Sequence, residues 1–242
     1  VIEEVYQQQS LLSSPDLMEL HGLFLKKESK GLVPRKLSKD FAKNISLLGL
    51  EERLQQLEFA EKVEQLLEEH QTSFIQAQTG LGKTYGYLLP ALNLESQAGI
   101  LVSVPTKILQ NQIMQEEGQH LKEVFHLEIH SLKGPQNYLK LDAFHQVLYR
   151  SESNRLFTRF KMQLLIWLTE TETGDLDEIG QLYRYQHFLP ELVHDGKLSK
   201  KSLFATEDFW KRGQEKAKTS RVLLTNHAYL VTRLEDNPEF VD

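Results

Sequence analysis

The chain contains no cysteine, and that one absence removes several chemistries together. Without thiols there is no disulfide framework, no cysteine-ligated zinc and no cysteine-held iron–sulfur cluster. Long apolar runs are also missing: none approaches the roughly 18 residues that a membrane-spanning helix needs. No secretory signal opens the chain. The expectation is a cytoplasmic protein with no membrane partner. Net positive charge is lacking as well. With 28 Lys and Arg against 34 Asp and Glu, the formal charge is −6. There is therefore no global attraction to a polyanion, and any nucleic-acid binding has to come from local basic surface. No internal repeat or low-complexity segment is visible.

What is present suits a packed domain. The chain has 242 residues, 40% of them hydrophobic, enough for one large α/β domain or one domain with a sizeable insertion. It starts at Val1 and finishes at Asp242, and both ends read as cuts in something longer.

The stretch Gln76-Ala77-Gln78-Thr79-Gly80-Leu81-Gly82-Lys83-Thr84 organises the rest. Before it, Ser73-Phe74-Ile75-Gln76-Ala77 reads as a buried strand; after it, Tyr85, Tyr87, Leu88, Leu89, Ala91 and Leu92 suit a helix packed on a sheet. Between them lies a phosphate-loop pattern, with Ala77 where the first glycine usually stands. Gly80 and Gly82 let the backbone curl and aim N–H groups from Thr79, Gly80, Leu81 and Gly82 onward at phosphate oxygens. Lys83 supplies a point charge for the β- and γ-phosphates, and the Thr84 hydroxyl can hold magnesium. The following helix places its positive dipole end under the same phosphates. ATP and magnesium are the ligands implied.

Upstream, residues 51–70 carry Leu57, Ala60, Val63 and Leu67 at three- and four-residue steps, a helix pattern. Arg53 and Gln56 project from one face near its start, and Gln56 has the donor and acceptor that an adenine edge requires. Downstream, Gly99–Val104 is a continuous apolar run expected of a parallel strand covered on both faces. Pro105 stops it, and Thr106 is placed to cap a helix carrying Leu109 and Ile113. Leu127 to His130 and Val222 to Thr225 are two further short strands, the latter leading into Asn226-His227-Ala228. Strands and helices alternate, which predicts an α/β fold with a mainly parallel sheet.

Residues 135–220 interrupt this rhythm with a helical, aromatic-rich pattern and an acidic turn around Gly174. From Lys197 to Arg221 there are eight Lys or Arg against three Asp or Glu, with Phe204, Phe209 and Trp210 interleaved. Cations among rings suit single-stranded nucleic acid, and Lys200 and Lys201 are the candidate phosphate contacts. An amphipathic helix whose aromatics are core explains the same pattern. The expected division is a linker or N-terminal extension over 1–50, the first part of a sheet domain over 51–134, a helical insertion over 135–220, and a return to the sheet over 221–242.

Several blocks then line up in one order: Arg53-x-x-Gln56, Ala77 to Thr84, and Val104-Pro105-Thr106-Lys107-Ile108-Leu109. Lys133-Gly134-Pro135-Gln136-Asn137-Tyr138-Leu139, Thr173 to Glu178, and Leu224-Thr225-Asn226-His227-Ala228-Tyr229-Leu230 follow. Over about residues 50–235 the chain resembles the DinG branch of the XPD-like superfamily 2 ATP-dependent DNA helicases, in its Gram-positive, cluster-free form. The resemblance implies a P-loop NTPase fold: a partial RecA-like domain with an insertion where relatives carry an iron–sulfur domain. It also implies a parent protein that couples ATP hydrolysis to DNA unwinding in repair or recombination, with a second RecA-like domain and an N-terminal 3′–5′ exonuclease. By the same resemblance Thr106 and Lys107 face the DNA backbone, and Asn137 and Tyr138 begin the insertion's single-strand surface. Lys140 stands where cluster-bearing members have cysteine, so no iron–sulfur cluster is expected. Asp177-Glu178 does not replace the family's Walker B pair, because no apolar strand precedes it. The chain alone is therefore expected to bind ATP with little turnover. A P-loop ATPase without a DNA role, or a nucleotide-binding module without catalysis, remain the alternatives.

Overall fold

The computed structural model describes residues 14–94, 99–151, 153–199 and 201–236. It begins with an antiparallel hairpin, β1 (Leu17–Leu20) and β2 (Leu23–Lys26). The turn residues His21 and Gly22 both take positive φ, 49° and 80°, as a two-residue hairpin turn requires. Helices α1 (Phe41–Leu47), α2 (Leu54–Glu68) and α3 (Lys83–Asn93) lead to strand β3 (Ile100–Val104). Helix α4 (Lys107–Ile113) runs through a π-helical turn, Met114–Gly118, into α5 (Gln119–Phe125), followed by strand β4 (Ile129–Ser131). Then come α6 (Leu141–Leu148), α7 (Arg155–Trp167) and α8 (Phe209–Thr219), before strand β5 (Val222–Asn226) and helix α9 (His227–Asp236).

The described residues form two compact units, 31–133 with 217–236, and 14–30 with 134–216. The first is built on a three-stranded parallel sheet in the order β3-β5-β4. Leu88, Leu89 and Leu92 of α3 pack with Leu121 and Phe125 of α5, Ile129 of β4 and Val222 of β5. Spacing puts those leucines on one helix face, so α3 lies on the sheet by its apolar stripe. Helix α2 buries Ala60 and Val63 and leaves Leu57 and Leu67 half-buried. It approaches α3 closely at Gly86, where any Cβ would stand 2.5 Å from the Phe59 ring.

Two expectations about strands need correction. Ser73–Ala77 is not a strand: it runs as exposed coil, with Phe74 fully exposed and Ile75 43% exposed. An extended apolar segment becomes a strand only when a neighbour pairs its N–H and C=O groups. Among the described residues the sheet offers it none, since β3 pairs only with β5. Among the described residues β3 is an edge strand, and it is also not covered on both faces, since its Leu101 is partly exposed.

The second unit packs the hairpin with the inserted helices. Phe144, Phe157, Phe160, Leu164, Leu192 and Phe204 are buried together with Leu23 and Leu25 of β2. Phe160 stacks on Tyr185 at 4.2 Å and Phe157 on Phe188 at 4.5 Å. The Lys26 N–H donates to the Leu168 carbonyl at 3.0 Å. The stretch 1–50 is thus divided: its hairpin groups with the insertion, while residues 31–50 group with the sheet. The acidic turn is a structural clamp in which Glu178 accepts from the Trp167 indole (3.2 Å), the Thr171 hydroxyl (2.6 Å) and the Thr173 hydroxyl.

Candidate functional site

The phosphate loop closes at the start of α3. Gly80 and Gly82 take φ of 80° and 82°, the left-handed region that side chains resist, and Gly82 is the residue from which the helix begins. At Gly80 a Cβ would meet nothing within 4 Å, so one wall of the loop is open. At Gly82 it would stand 2.2 Å from Gln56 Nε2. Thr79 and Gly80 are exposed and Leu81 to Thr84 are half-buried, so the loop lies at the surface.

Arg53 and Gln56, chosen from sequence as adenine readers, reach the loop itself. Arg53 Nη1 donates to the Gly80 carbonyl at 3.0 Å, and Gln56 Nε2 donates to the Gly82 carbonyl at 2.9 Å. Gln56 is buried, while Arg53 is exposed and lines an apolar cleft with Phe41, Ile45, Leu54 and Leu57. The Lys83 ammonium donates to the Gln78 carbonyl at 2.8 Å and lies 3.5 Å from the Ala77 carbonyl. The Thr84 hydroxyl donates to the Tyr87 phenol oxygen, one helical turn on. Burial raises the Tyr87 phenol, the Thr84 bond opposes that rise, and Glu117 adds to it. Tyr85 bonds His120 at 3.1 Å and is pushed up to about 12 by burial, helped by Glu117 and Glu116.

This donor set fits a magnesium triphosphate: two left-handed glycines, a lysine in the first helical turn and an adjacent hydroxyl. Among the described residues no hydrogen bond or ion pair joins a carboxylate to Lys83 or Thr84.

A second group lies at the carboxyl edge of the sheet. Thr106 caps α4, its hydroxyl accepting from the Leu109 N–H at 3.2 Å, and both Thr106 and Lys107 are exposed. Polar residues that sequence reasoning did not single out as site residues lie at the same end of the sheet. Ser103 Oγ lies 2.8 Å from His227 Nδ1. Beneath, Asn226 Nδ2 donates to the fully buried Gln110 Oε1 at 3.0 Å. Gln110 Nε2 in turn lies within 3.1 Å of Ser131 Oγ and the Leu132 and Leu224 carbonyls. The signals were there: Gln110 interrupts the apolar face of α4, and Asn226-His227 ends a strand.

The insertion supplies a correction. Tyr138 is 2% exposed and Asn137 7%, with Asn137 Nδ2 donating to the Gly134 carbonyl at 2.8 Å. Phe204, Phe209 and Trp210 are buried as well. Rings enclosed in this way present no face to a base: Phe209 and Trp210 are the buried face of the amphipathic α8, and Phe204 is buried in the turns before it. Two of the cations are engaged in ion pairs: Arg212 pairs with Glu28 and, at 3.1 Å, with Glu207, while Lys216 pairs with Glu28 at 3.2 Å. Lys201 is exposed, and Lys200 lies outside the described residues.

The DEAD/DEAH box helicase family model matches residues 56–177, about half of the chain. A Staphylococcus saprophyticus protein named 3′-5′ exonuclease DinG is 33% identical over 198 residues, covering 78% of this chain and 21% of its own length. The Staphylococcus aureus protein of the same name is 31% identical over 195 residues, covering 79% and 21%. The chain spans about a fifth of the length of these curated relatives. Among the described residues no helix is long and apolar enough to cross a membrane.

Proposed function

This chain belongs to the DEAD/DEAH box helicase family, and from that premise we propose that it is the nucleotide-binding part of a cytoplasmic ATP-dependent DNA helicase. It takes ATP with magnesium and a single strand of DNA. The observation that carries the reading is the loop from Thr79 to Thr84, with both glycines left-handed and Lys83 opening the helix. Backbone N–H groups from Thr79 to Thr84 orient the triphosphate, and Lys83 exchanges the Gln78 carbonyl for phosphate oxygen. The Thr84 hydroxyl would hold magnesium, an ion that neutralises phosphate charge when bound. Arg53, Gln56 and the adjoining apolar cleft receive the base, since that cleft opens beside the residues that brace the loop. Thr106 and Lys107 contact the DNA backbone. The parent polypeptide couples hydrolysis to unwinding in repair or recombination, and it carries a second RecA-like domain and a 3′–5′ exonuclease, an activity that the relatives' name states of them. The chain holds no iron–sulfur cluster in this reading, because it has no cysteine to ligate one.

Calorimetry tests the loop assignment. Lys83→Ala removes a charge-assisted contact of about 1.5–3 kcal/mol, so ATP–magnesium affinity is expected to fall roughly tenfold to a hundredfold. Unchanged affinity in a folded variant would sink the reading. ATP turnover by the chain alone is expected near background, as among the described residues no carboxylate is bonded to Lys83 or Thr84. Robust turnover abolished by Lys83→Ala would overturn that second point only.

A further inference from the structure

Thr84 stands in the first turn of α3, and its hydroxyl has a single proton to place. A threonine in a helix commonly gives that proton to the carbonyl one turn back. Here that carbonyl belongs to Gly80, which already accepts from Arg53 Nη1 at 3.0 Å. The Gly82 carbonyl is taken as well, by Gln56 Nε2 at 2.9 Å and by the Gly86 N–H at 3.1 Å. Thr84 gives its proton forward instead, to the phenol oxygen of Tyr87. With the proton committed there, the lone pairs of the Thr84 oxygen are left for a cation.

Tyr87 is well held for this task. Its ring packs against the core between α3 and the sheet and borders a narrow gap lined by Val102, Ile113, Met114 and Leu224. A flat ring packed among aliphatic side chains keeps its hydroxyl at one height. Beside that gap runs the π-helical turn Met114–Gly118, a geometry frequent at functional sites. At Gly118 an added Cβ would stand 3.2 Å from the Ile113 carbonyl, so glycine suits the widened turn. The residue before it, Glu117, has Oε2 buried with no hydrogen-bond partner among the described residues. Burial, and then the Glu117 charge, keep the Tyr87 phenol protonated, so the group that receives the Thr84 proton is a neutral hydroxyl.

We propose that Tyr87 is a positioning residue for magnesium binding: its phenol oxygen takes the Thr84 proton and leaves the Thr84 lone pairs free for the cation that accompanies the nucleotide. This rests on the reading of Thr84 as the magnesium ligand. A hydrogen bond on the far side of a ligating group orients that group, and its loss lowers metal affinity. The contacts of the triphosphate with Lys83 and the loop N–H groups are left in place.

Calorimetry of ATP binding, once with excess magnesium and once with EDTA, tests this on the chain of 242 residues. The quantity read is the factor by which magnesium raises ATP affinity. Tyr87→Phe keeps the ring among its apolar neighbours and removes only the hydroxyl. It is expected to lower that factor about threefold to tenfold, with the magnesium-free affinity unchanged. Thr84→Ala should lower the factor further, and adding Tyr87→Phe to Thr84→Ala should change it no more. A wild-type factor in Tyr87→Phe beside a reduced one in Thr84→Ala overturns the inference and leaves the underlying reading standing. Equal losses with and without magnesium in Tyr87→Phe overturn it too, since the hydroxyl would then serve only the shape of the loop. If Thr84→Ala keeps the wild-type factor, the reading of Thr84 fails and the inference fails with it.

Discussion

At the phosphate loop, Lys83 and Thr84 sit half-exposed at a helix start, bonded only to carbonyls and a phenol. In the insertion two cations are enclosed, while Lys197, Lys201, Lys211 and Lys218 stay exposed. Lys161 is fully buried, its ammonium on the Val147 and Arg150 carbonyls and 5.1 Å over the Phe157 ring. Arg212 is held by two carboxylates and lies 5.6 Å over Phe209. A ligand can claim the first pair by displacing weak partners, but it would have to break ion pairs and uncover rings to claim the second. Density of basic residues along a sequence therefore says little about a nucleic-acid face; what each cation already touches decides it.

The largest effect expected follows from the enclosed rings. Trp210 packs on Tyr138 at 5.5 Å and near His194 at 6.4 Å. Trp210→Ala should destabilise the insertion by about 3–5 kcal/mol, read by denaturant unfolding. A change under about 1 kcal/mol together with lost DNA affinity would break the comparison and restore a stacking role.

The open loop predicts a graded result at two glycines. Gly80→Ala meets only backbone strain, because nothing lies within 4 Å of the added Cβ. Gly82→Ala meets the same strain and also the Gln56 amide. A side chain held in this region costs about 1–3 kcal/mol, so Gly82→Ala should lose stability and nucleotide affinity beyond Gly80→Ala. Equal losses at the two positions would mean that Gln56 does not brace the loop.

How much of this was readable beforehand depends on how local each feature is. The phosphate loop, the Thr106 cap and the parallel strands β3 and β5 follow from neighbouring residues, since glycine geometry, hydroxyl caps and apolar runs act within a few positions. Ser73–Ala77 has the composition of a strand, yet pairing is a property of two segments, and the second is missing from the sheet described. Burial of Tyr138 and Trp210 is equally non-local, because the two rings pack on each other across 72 positions, with His194 arriving from a third place. The Gln110–Asn226 bond joins residues 116 positions apart, and although each is a polar residue at a telling place, neither end names its partner.

Arg212 sharpens the same contrast at intermediate size. Arg212→Ala leaves Glu28 and Glu207 without their main partner, and a loss of about 2 kcal/mol is expected from its charged hydrogen bonds. Burial pushes the Glu28 carboxyl up, but Arg212 and Lys216 outweigh it and hold it below its ordinary value. A carboxyl lowered on folding stabilises the protein above its unfolded value of 4.5 and stops doing so as pH falls through its folded value. The gap between wild type and Arg212→Ala should thus be full at pH 7 and narrow below about pH 4. Unfolding midpoints that differ equally at both pH values would place the arginine's contribution in packing rather than charge.

The smallest effect belongs to Lys140, the position at which the resembling cluster-bearing proteins have cysteine. Its ammonium meets Asp195 Oδ1 at 2.7 Å, and its backbone N–H donates to the Leu192 carbonyl at 2.8 Å. The Lys140 hydrogen bond is the main reason that the Asp195 carboxyl lies below its usual value, with burial opposing it and the Lys197 N–H helping. Because the Asp195 side chain is 56% exposed, water screens the pair and limits it to about 0–1 kcal/mol. Lys140→Ala should therefore shift unfolding little at pH 7. The shift should shrink further in 1 M salt, begin to fall as pH drops below the ordinary carboxyl value of 3.8, and vanish once pH has passed below the lowered folded value of Asp195. A loss well above 1 kcal/mol would mean that this pair does the fastening assigned elsewhere to a cluster. Iron analysis of anaerobically purified protein should be blank in wild type and variant alike, because neither contains a thiolate to ligate iron.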